Sequence, residues 1–171
     1  MASSRPVSKD EMDCILMALT WENRLACEVA LRTGLRIGDV LQLKKNDLLK
    51  ERISIREQKT GKYRRFSLPQ SLRKRLLSVS GKVYVFSHRT DIFRHRTRQA
   101  VYKDIRRAAK SLRLKGVVSP HSLRKSFAVK RYNACGDIKK LQALFNHGDA
   151  TVTLLYALAG ELWEKQQKGK K

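Results

Sequence analysis

The sequence predicts an α+β chain, mainly helical, with one small antiparallel sheet. Apolar residues recur at helical spacing over most of the length, and one stretch, residues 52–68, changes to strand alternation on either side of Lys59-Thr60-Gly61-Lys62. A hydrophobic content of 42% in 171 residues is enough for one ordinary core, so a single domain is expected rather than two.

Ser8-Lys9-Asp10-Glu11 has the form of a capping box, in which the serine oxygen accepts a helix-end amide and the glutamate reaches back to the cap amide. A helix over 9–19 follows, with Met12, Ile15, Leu16 and Leu19 on one face, and a second runs from Trp21 through Leu25 and Val29 to Thr33. Gly34 ends it. Helical periodicity resumes over 36–43, so the chain turns at Gly34 and Arg36 opens a new element with its side chain exposed. The alternating segments 52–56 and 63–68 form a hairpin, with Lys59 where the first strand ends. There a long cationic side chain can swing over a ligand without burying its charge. A helix over 70–79, a short strand over 83–86 and a mobile, solvated basic loop over 87–96 come next.

Over 97–112, Val101, Ile105, Ala108, Ala109 and Leu112 mark an amphipathic helix whose outer face carries Lys103, Arg106, Arg107, Lys110 and Arg113; Gly116 ends it ahead of Pro120. Three more helices are expected: 121–134 closed by Gly136, 137–145 capped by Asp137, and 150–159. The sequence has no internal repeat. Its tail, 161–171, pairs Leu162 and Trp163 with a lysine-rich end, either a frayed terminus or a segment that docks on a partner.

Lys and Arg number 38 against 15 Asp and Glu, a formal net charge of +23, and such a surface seeks a polyanion. Nucleic acid fits best, because each phosphate neutralised by a cation releases counterions. A membrane fits less well: there is no apolar run long enough to span one, and the first residues lack the apolar core of a secretion signal. A soluble, cytoplasmic protein without membrane partners is expected. Cys14, Cys27 and Cys135 are far apart and form no zinc spacing, so they read as small buried hydrophobes in a reducing compartment.

Against this background Arg36, Lys59, His121, Arg124, His147 and Tyr156 are poorly explained by packing alone. Two arginines, a lysine, two histidines and a tyrosine are what covalent attack on a phosphodiester needs. Their setting is Thr33-Gly34-Leu35-Arg36-Ile37-Gly38-Asp39, then His121-Ser122-Leu123-Arg124, then His147 and Tyr156, and over residues 8–156 this series resembles the tyrosine recombinase (phage integrase) family in order and spacing. The resemblance implies a catalytic-domain fold of that family in a bacterial, phage or mobile-element setting. It also implies DNA cleavage without metal, ATP or other cofactor, double-stranded DNA as partner, and four subunits on two DNA sites, with DNA-bending proteins as allowed accessories.

By the same resemblance Tyr156 is the nucleophile that forms a 3′-phosphotyrosine, and Arg36 and Arg124 clamp the non-bridging oxygens with planar forks of donors. Lys59 protonates the leaving 5′ oxygen, His121 is base or relay for the tyrosine, and His147 donates a hydrogen bond to the phosphate. Lys62 is a rival to Lys59, and Asp39 would orient an arginine or histidine from behind. Lys62, Arg64, Arg65, Arg98, Lys103 and Lys125 are the cations expected to meet DNA; His88 and His95 carry no assignment.

Lys125 stands where many members have histidine, and Asn146 where glycine commonly precedes the last histidine; neither removes a catalytic group. The chain reads as a single catalytic domain over 1–171, core about 8–160, lacking the N-terminal DNA-clamping domain usual in the family. A naturally short recombinase like the fimbrial invertases, an excised catalytic domain and a relative kept for DNA binding or regulation would all look this way. A noncatalytic regulator and a type IB topoisomerase-like enzyme stand as alternative functions.

Overall fold

The computed structural model describes residues 4–145, so the expected helix over 150–159, His147, Tyr156 and the Leu162-Trp163 pair lie outside the described residues. Helix α1 (Lys9–Ala18) starts in the expected capping box, with the Ser8 Oγ accepting from the Glu11 N–H and the Glu11 carboxylate accepting from the Ser8 N–H, both at 3.2 Å. The same carboxylate takes two 2.7 Å bonds from the buried Arg5 guanidinium, which holds the Glu11 pKa below the ordinary carboxylate range. Arg5 also donates to the Lys115 carbonyl and Val7 exchanges two bonds with the Ser126 side chain, so residues 4–8 lie as a strap along the loop before α6 and along α6 itself.

Helix α2 (Trp21–Thr33) buries Leu25, Ala26, Cys27, Val29 and Ala30 and is the central helix, packed against α1, α3, α4 and α6. It stops at Gly34, whose φ of 70° is left-handed and whose N–H bonds the Ala30 carbonyl at 2.8 Å. A side chain there would strike the Phe127 ring, which lies 2.5 Å from where a Cβ would stand. Glycine is therefore required twice over, by backbone hand and by the close approach of α6. Helix α3 (Ile37–Leu41) is shorter than the expected 36–43, and a 3-10 turn, Lys45–Leu49, follows.

Strands β1 (Ile53–Arg56) and β2 (Tyr63–Phe66) pair antiparallel in the register Ile53 to Phe66 and Ile55 to Arg64, with Ile53 and Ile55 facing the core. Helix α4 (Gln70–Val79) is tied to α2 by a two-point ion pair of Arg75 with Glu28, both contacts at 2.8 Å. The strand expected over 83–86 is reduced to one bridge between Tyr84 and Lys44, because its partner segment leaves for the 3-10 turn at Lys45 and cannot extend the ladder. The basic loop, expected to be mobile and solvated, folds back on itself: Ser87 bridges His95, and the His88 N–H donates to the Arg94 carbonyl at 2.8 Å.

Helix α5 (Arg98–Ser111), capped by Thr97, buries Val101, Ile105, Ala108 and Ala109 as its periodicity predicts. It also buries Asp104, which accepts from Thr20, Asn23 and Arg107. Burial opposes ionisation of Asp104, but those hydrogen bonds outweigh it and leave its pKa below the usual range. Two left-handed residues follow α5, Arg113 at φ 51° and Gly116 at φ 76°, and the helix stops ahead of both rather than at Gly116. Helix α6 (Pro120–Cys135) begins with Pro at its first position and ends at the left-handed Gly136. Helix α7 (Ile138–Phe145) has Asp137 as its cap, the carboxylate accepting from the Lys139 and Lys140 amides.

One apolar cluster joins α1–α5, the hairpin and the start of α6, and a second, of Phe127, Ala128, Leu141 and Phe145, lies between α6 and α7. Of the three cysteines only Cys27 is a buried hydrophobe, its thiol pKa pushed up by burial; Cys14 and Cys135 are exposed, on the solvent faces of α1 and α6. Among the described residues no helix is long and apolar enough to cross a membrane.

Candidate active site

The turn at Gly34 delivers Arg36 to the N-cap of α3. The side chain is not freely exposed, as the sequence reading expects, but half-buried at 21% exposure, with Nη1 donating to Glu57 Oε2 at 3.0 Å. Glu57 is completely buried. It continues the inward series Ile53 and Ile55 one step beyond β1, which leaves a carboxylate where strand alternation would put an apolar residue. Its second cation is Arg64, 3.5 Å away, and Thr60 Oγ1 donates to it at 3.1 Å.

Lys59 sits exposed in the turn between β1 and β2, closed by bonds from the Glu57 N–H to the Lys62 carbonyl at 2.9 Å and from the Gly61 N–H to the Glu57 carbonyl at 2.8 Å. Lys62 is exposed in the same turn. Among the described residues Asp39 makes no hydrogen bond to an arginine or histidine: Oδ1 accepts from the Gln58 N–H at 2.9 Å, and the buried Oδ2 has no partner there. Burial, with help from the Glu57 charge, raises the Asp39 pKa against the opposing pull of that amide bond, Arg36 and Arg124. Its contact is with the hairpin, which it fastens to α3.

On α6, His121 and Arg124 are three residues apart and so share a face. Arg124 is buried at 3% exposure, donating to the Gly34 carbonyl at 2.5 Å and the Phe145 carbonyl at 3.2 Å, with its guanidinium 4.2 Å from the Phe145 ring centroid. His121 opens to solvent at the first turn. Partial burial of the ring, then the positive charges of Arg124, Arg36, Lys125 and Lys59, press its pKa below the ordinary imidazole value. A neutral imidazole keeps an acceptor nitrogen, as a general base must. Arg36 and the turn that carries Lys59 thus meet on Glu57, and Arg124, one turn from His121, reaches the Gly34 carbonyl two residues before Arg36, while His147 and Tyr156 lie outside the described residues. Phe145, two residues before His147 in the chain, is held against Arg124.

Of the cations expected to meet DNA, Lys62, Arg65, Arg98 and Lys103 are exposed. Arg98 lies over the start of α3, its Cδ 2.8 Å from where a Cβ on Gly38 would stand. Arg64 and Lys125 are less open than the sequence reading expects. Arg64 is buried, donating to the Thr33 carbonyl at 2.8 Å and also to the Leu144 carbonyl, because its place opposite Ile55 turns it inward. Lys125 is half-buried, its Nζ bonded to the Ser4 carbonyl and its pKa lowered by burial. Sequence reasoning missed Glu57 altogether, although the alternation of β1 extended by one step marks it. Among the described residues no three His, Cys, Asp or Glu side chains gather to hold a metal ion.

The chain is similar in sequence and fold to known proteins. The YoeC protein of Bacillus subtilis, a probable integrase/recombinase, is 28% identical over 130 residues, covering 74% of this chain and 71% of its own. The tyrosine recombinase XerD of Staphylococcus saprophyticus is 25% identical over 153 residues, covering 80% and 50%. Lambda integrase, solved as a tetramer on a Holliday junction, shares the fold with a TM-score of 0.72 at 24% identity, over 91% of this chain and 48% of that one. The chain thus spans about half the length of the last two. The profile of the phage integrase family matches residues 7–160, a span that takes in all six residues of the sequence motif, and the chain belongs to that family.

Proposed function

We propose that the chain is the strand-transfer unit of a tyrosine-type site-specific recombinase that cuts and rejoins duplex DNA. The observation that supports this reading is the placing of Arg36 and the turn that carries Lys59 on one buried carboxylate, Glu57, and of Arg124, one turn from His121, on the Gly34 carbonyl two residues before Arg36. In the proposed reaction the Tyr156 hydroxyl oxygen attacks the scissile phosphorus and its proton passes to His121. The bond from phosphorus to the 5′ oxygen breaks, and Lys59 supplies the proton that oxygen takes up. The products are a 3′-phosphotyrosine and a free 5′ hydroxyl.

Attack by a 5′ hydroxyl from the other duplex reverses the step onto a new strand. One phosphoester bond replaces another each time, so no external energy source enters. Arg36 and Arg124 supply fixed positive charge where the phosphorane-like transition state gathers negative charge, and His147 adds a donor. The formal charge of +23 supports a duplex partner, and two duplexes with two cuts each call for four subunits.

The test is incubation of the full chain with nicked suicide substrates bearing candidate sites, followed by denaturing gels and mass spectrometry. A covalent adduct on Tyr156 that disappears in Tyr156→Phe, with DNA affinity largely kept, is the expected result. An undiminished adduct in that variant defeats the assignment, and DNA binding with no adduct from the unaltered chain favours a noncatalytic regulator.

A further inference from the structure

We propose that Glu57 is a positioning residue of this site: its buried carboxylate sets the Arg36 guanidinium and the turn that carries Lys59 in register before DNA arrives. The inference rests on the strand-transfer reading above. A fully buried carboxylate is costly unless charges and donors surround it, and Glu57 has both. Oε2 alone accepts from Arg36 at 3.0 Å and from Thr60 at 3.1 Å, and Lys59 is the residue immediately before Thr60. The main chain of Glu57 closes the same turn through Lys62 and Gly61.

The carboxylate approaches Arg36 from the protein interior, and 21% of the arginine side chain stays open on the other side. A planar fork tethered at one nitrogen has fewer rotamers open to it, so its remaining donors lose less freedom when they meet a phosphate. Glu57 thus acts on two groups that are far apart in sequence and serve two different oxygens of the proposed reaction. Arg64 balances the charge from below, with its own donors on the Thr33 and Leu144 carbonyls.

The test compares the unaltered full chain, Glu57→Gln and Thr60→Val in single-turnover cleavage of two suicide substrates, one ordinary and one with sulfur at the bridging 5′ position. A thiolate leaves without protonation, so the second substrate does not need Lys59. Glu57→Gln is expected to cut the ordinary substrate about 100-fold more slowly with DNA affinity within about two-fold, and to regain about ten-fold of that loss on the sulfur substrate. Thr60→Val, which buries no new charge, is expected to slow the ordinary substrate about five-fold and to cleave the sulfur substrate like the unaltered chain.

A folded Glu57→Gln that cleaves at the normal rate, or loses equally on both substrates, overturns the proposal. If that variant does not fold, Thr60→Val decides, and an unchanged rate overturns it. Failure of the unaltered chain to cleave either substrate would instead defeat the strand-transfer reading.

Discussion

Around α2, Leu25, Ala26, Cys27 and Val29 are wholly out of water within a cluster shared by six helices and the hairpin, whereas the corner between α6 and α7 buries only the apolar residues Phe127, Ala128, Leu141 and Phe145 among the described residues. The body is held by apolar area. In the corner that area is small, and two guanidinium groups take over: Arg124 reaches the Gly34 and Phe145 carbonyls, and Arg64 the Thr33 and Leu144 carbonyls. The Thr33 and Gly34 carbonyls belong to the C-terminal end of α2, where backbone acceptors run out of intrahelical donors and the helix dipole is negative. Cations are thus structural cement in the same place where the chemistry needs them, and the site lies along the join.

The sharpest way to break this arrangement is Gly34→Val. The left-handed φ and the Phe127 ring together make the change cost about 3–5 kcal/mol, read as a fall in the urea unfolding midpoint. A loss under about 1 kcal/mol would mean that α6 is not pressed on the end of α2.

Phe145→Ala sharpens the contrast, removing about 3 kcal/mol of packing from the small cluster and the ring under Arg124. Hydrogen exchange should show α7 amides losing protection while those of α2 keep theirs; equal losses in both would show one cooperative core.

The smallest expected effect is that of Lys125→Gln, which removes one of the positive charges that depress the His121 pKa. The sign follows directly. Raising that pKa means the neutral base is lost at a higher pH as solution is acidified, so the acid limb of the cleavage-rate profile should move to higher pH. A limb that stays in place would remove Lys125 from the field acting on His121.

The two regions also differ in how far the sequence discloses them. Periodicity and caps locate α1, α2 and α4–α7 closely, because Ser8, Gly34, Thr97, Gly136 and Asp137 act through their immediate neighbours. Arg36, Lys59, His121 and Arg124 are legible for another reason: each stands in a short motif whose spacing is fixed by the element that bears it. What the sequence conceals depends on partners remote along the chain. Arg64 looks like a surface cation until its facing neighbour in the hairpin is known, and Lys125 like a DNA contact until Ser4 lies beside it. The segment at Tyr84 has the composition of a strand but no partner long enough to make one.

The strap formed by residues 4–8 has a mechanical consequence. Its fastenings are the Arg5 bonds to the Val117 and Lys115 carbonyls, the Lys125 bond to the Ser4 carbonyl and the paired bonds of Val7 with Ser126. Tension applied at residue 4 therefore does not run into α1 alone, although Arg5 is paired there with Glu11. It also passes sideways into α6, at Lys125 and Ser126, one and two residues beyond Arg124. A pull or twist on this strap is therefore shared between α1, through Arg5 and Glu11, and the helix that carries His121 and Arg124.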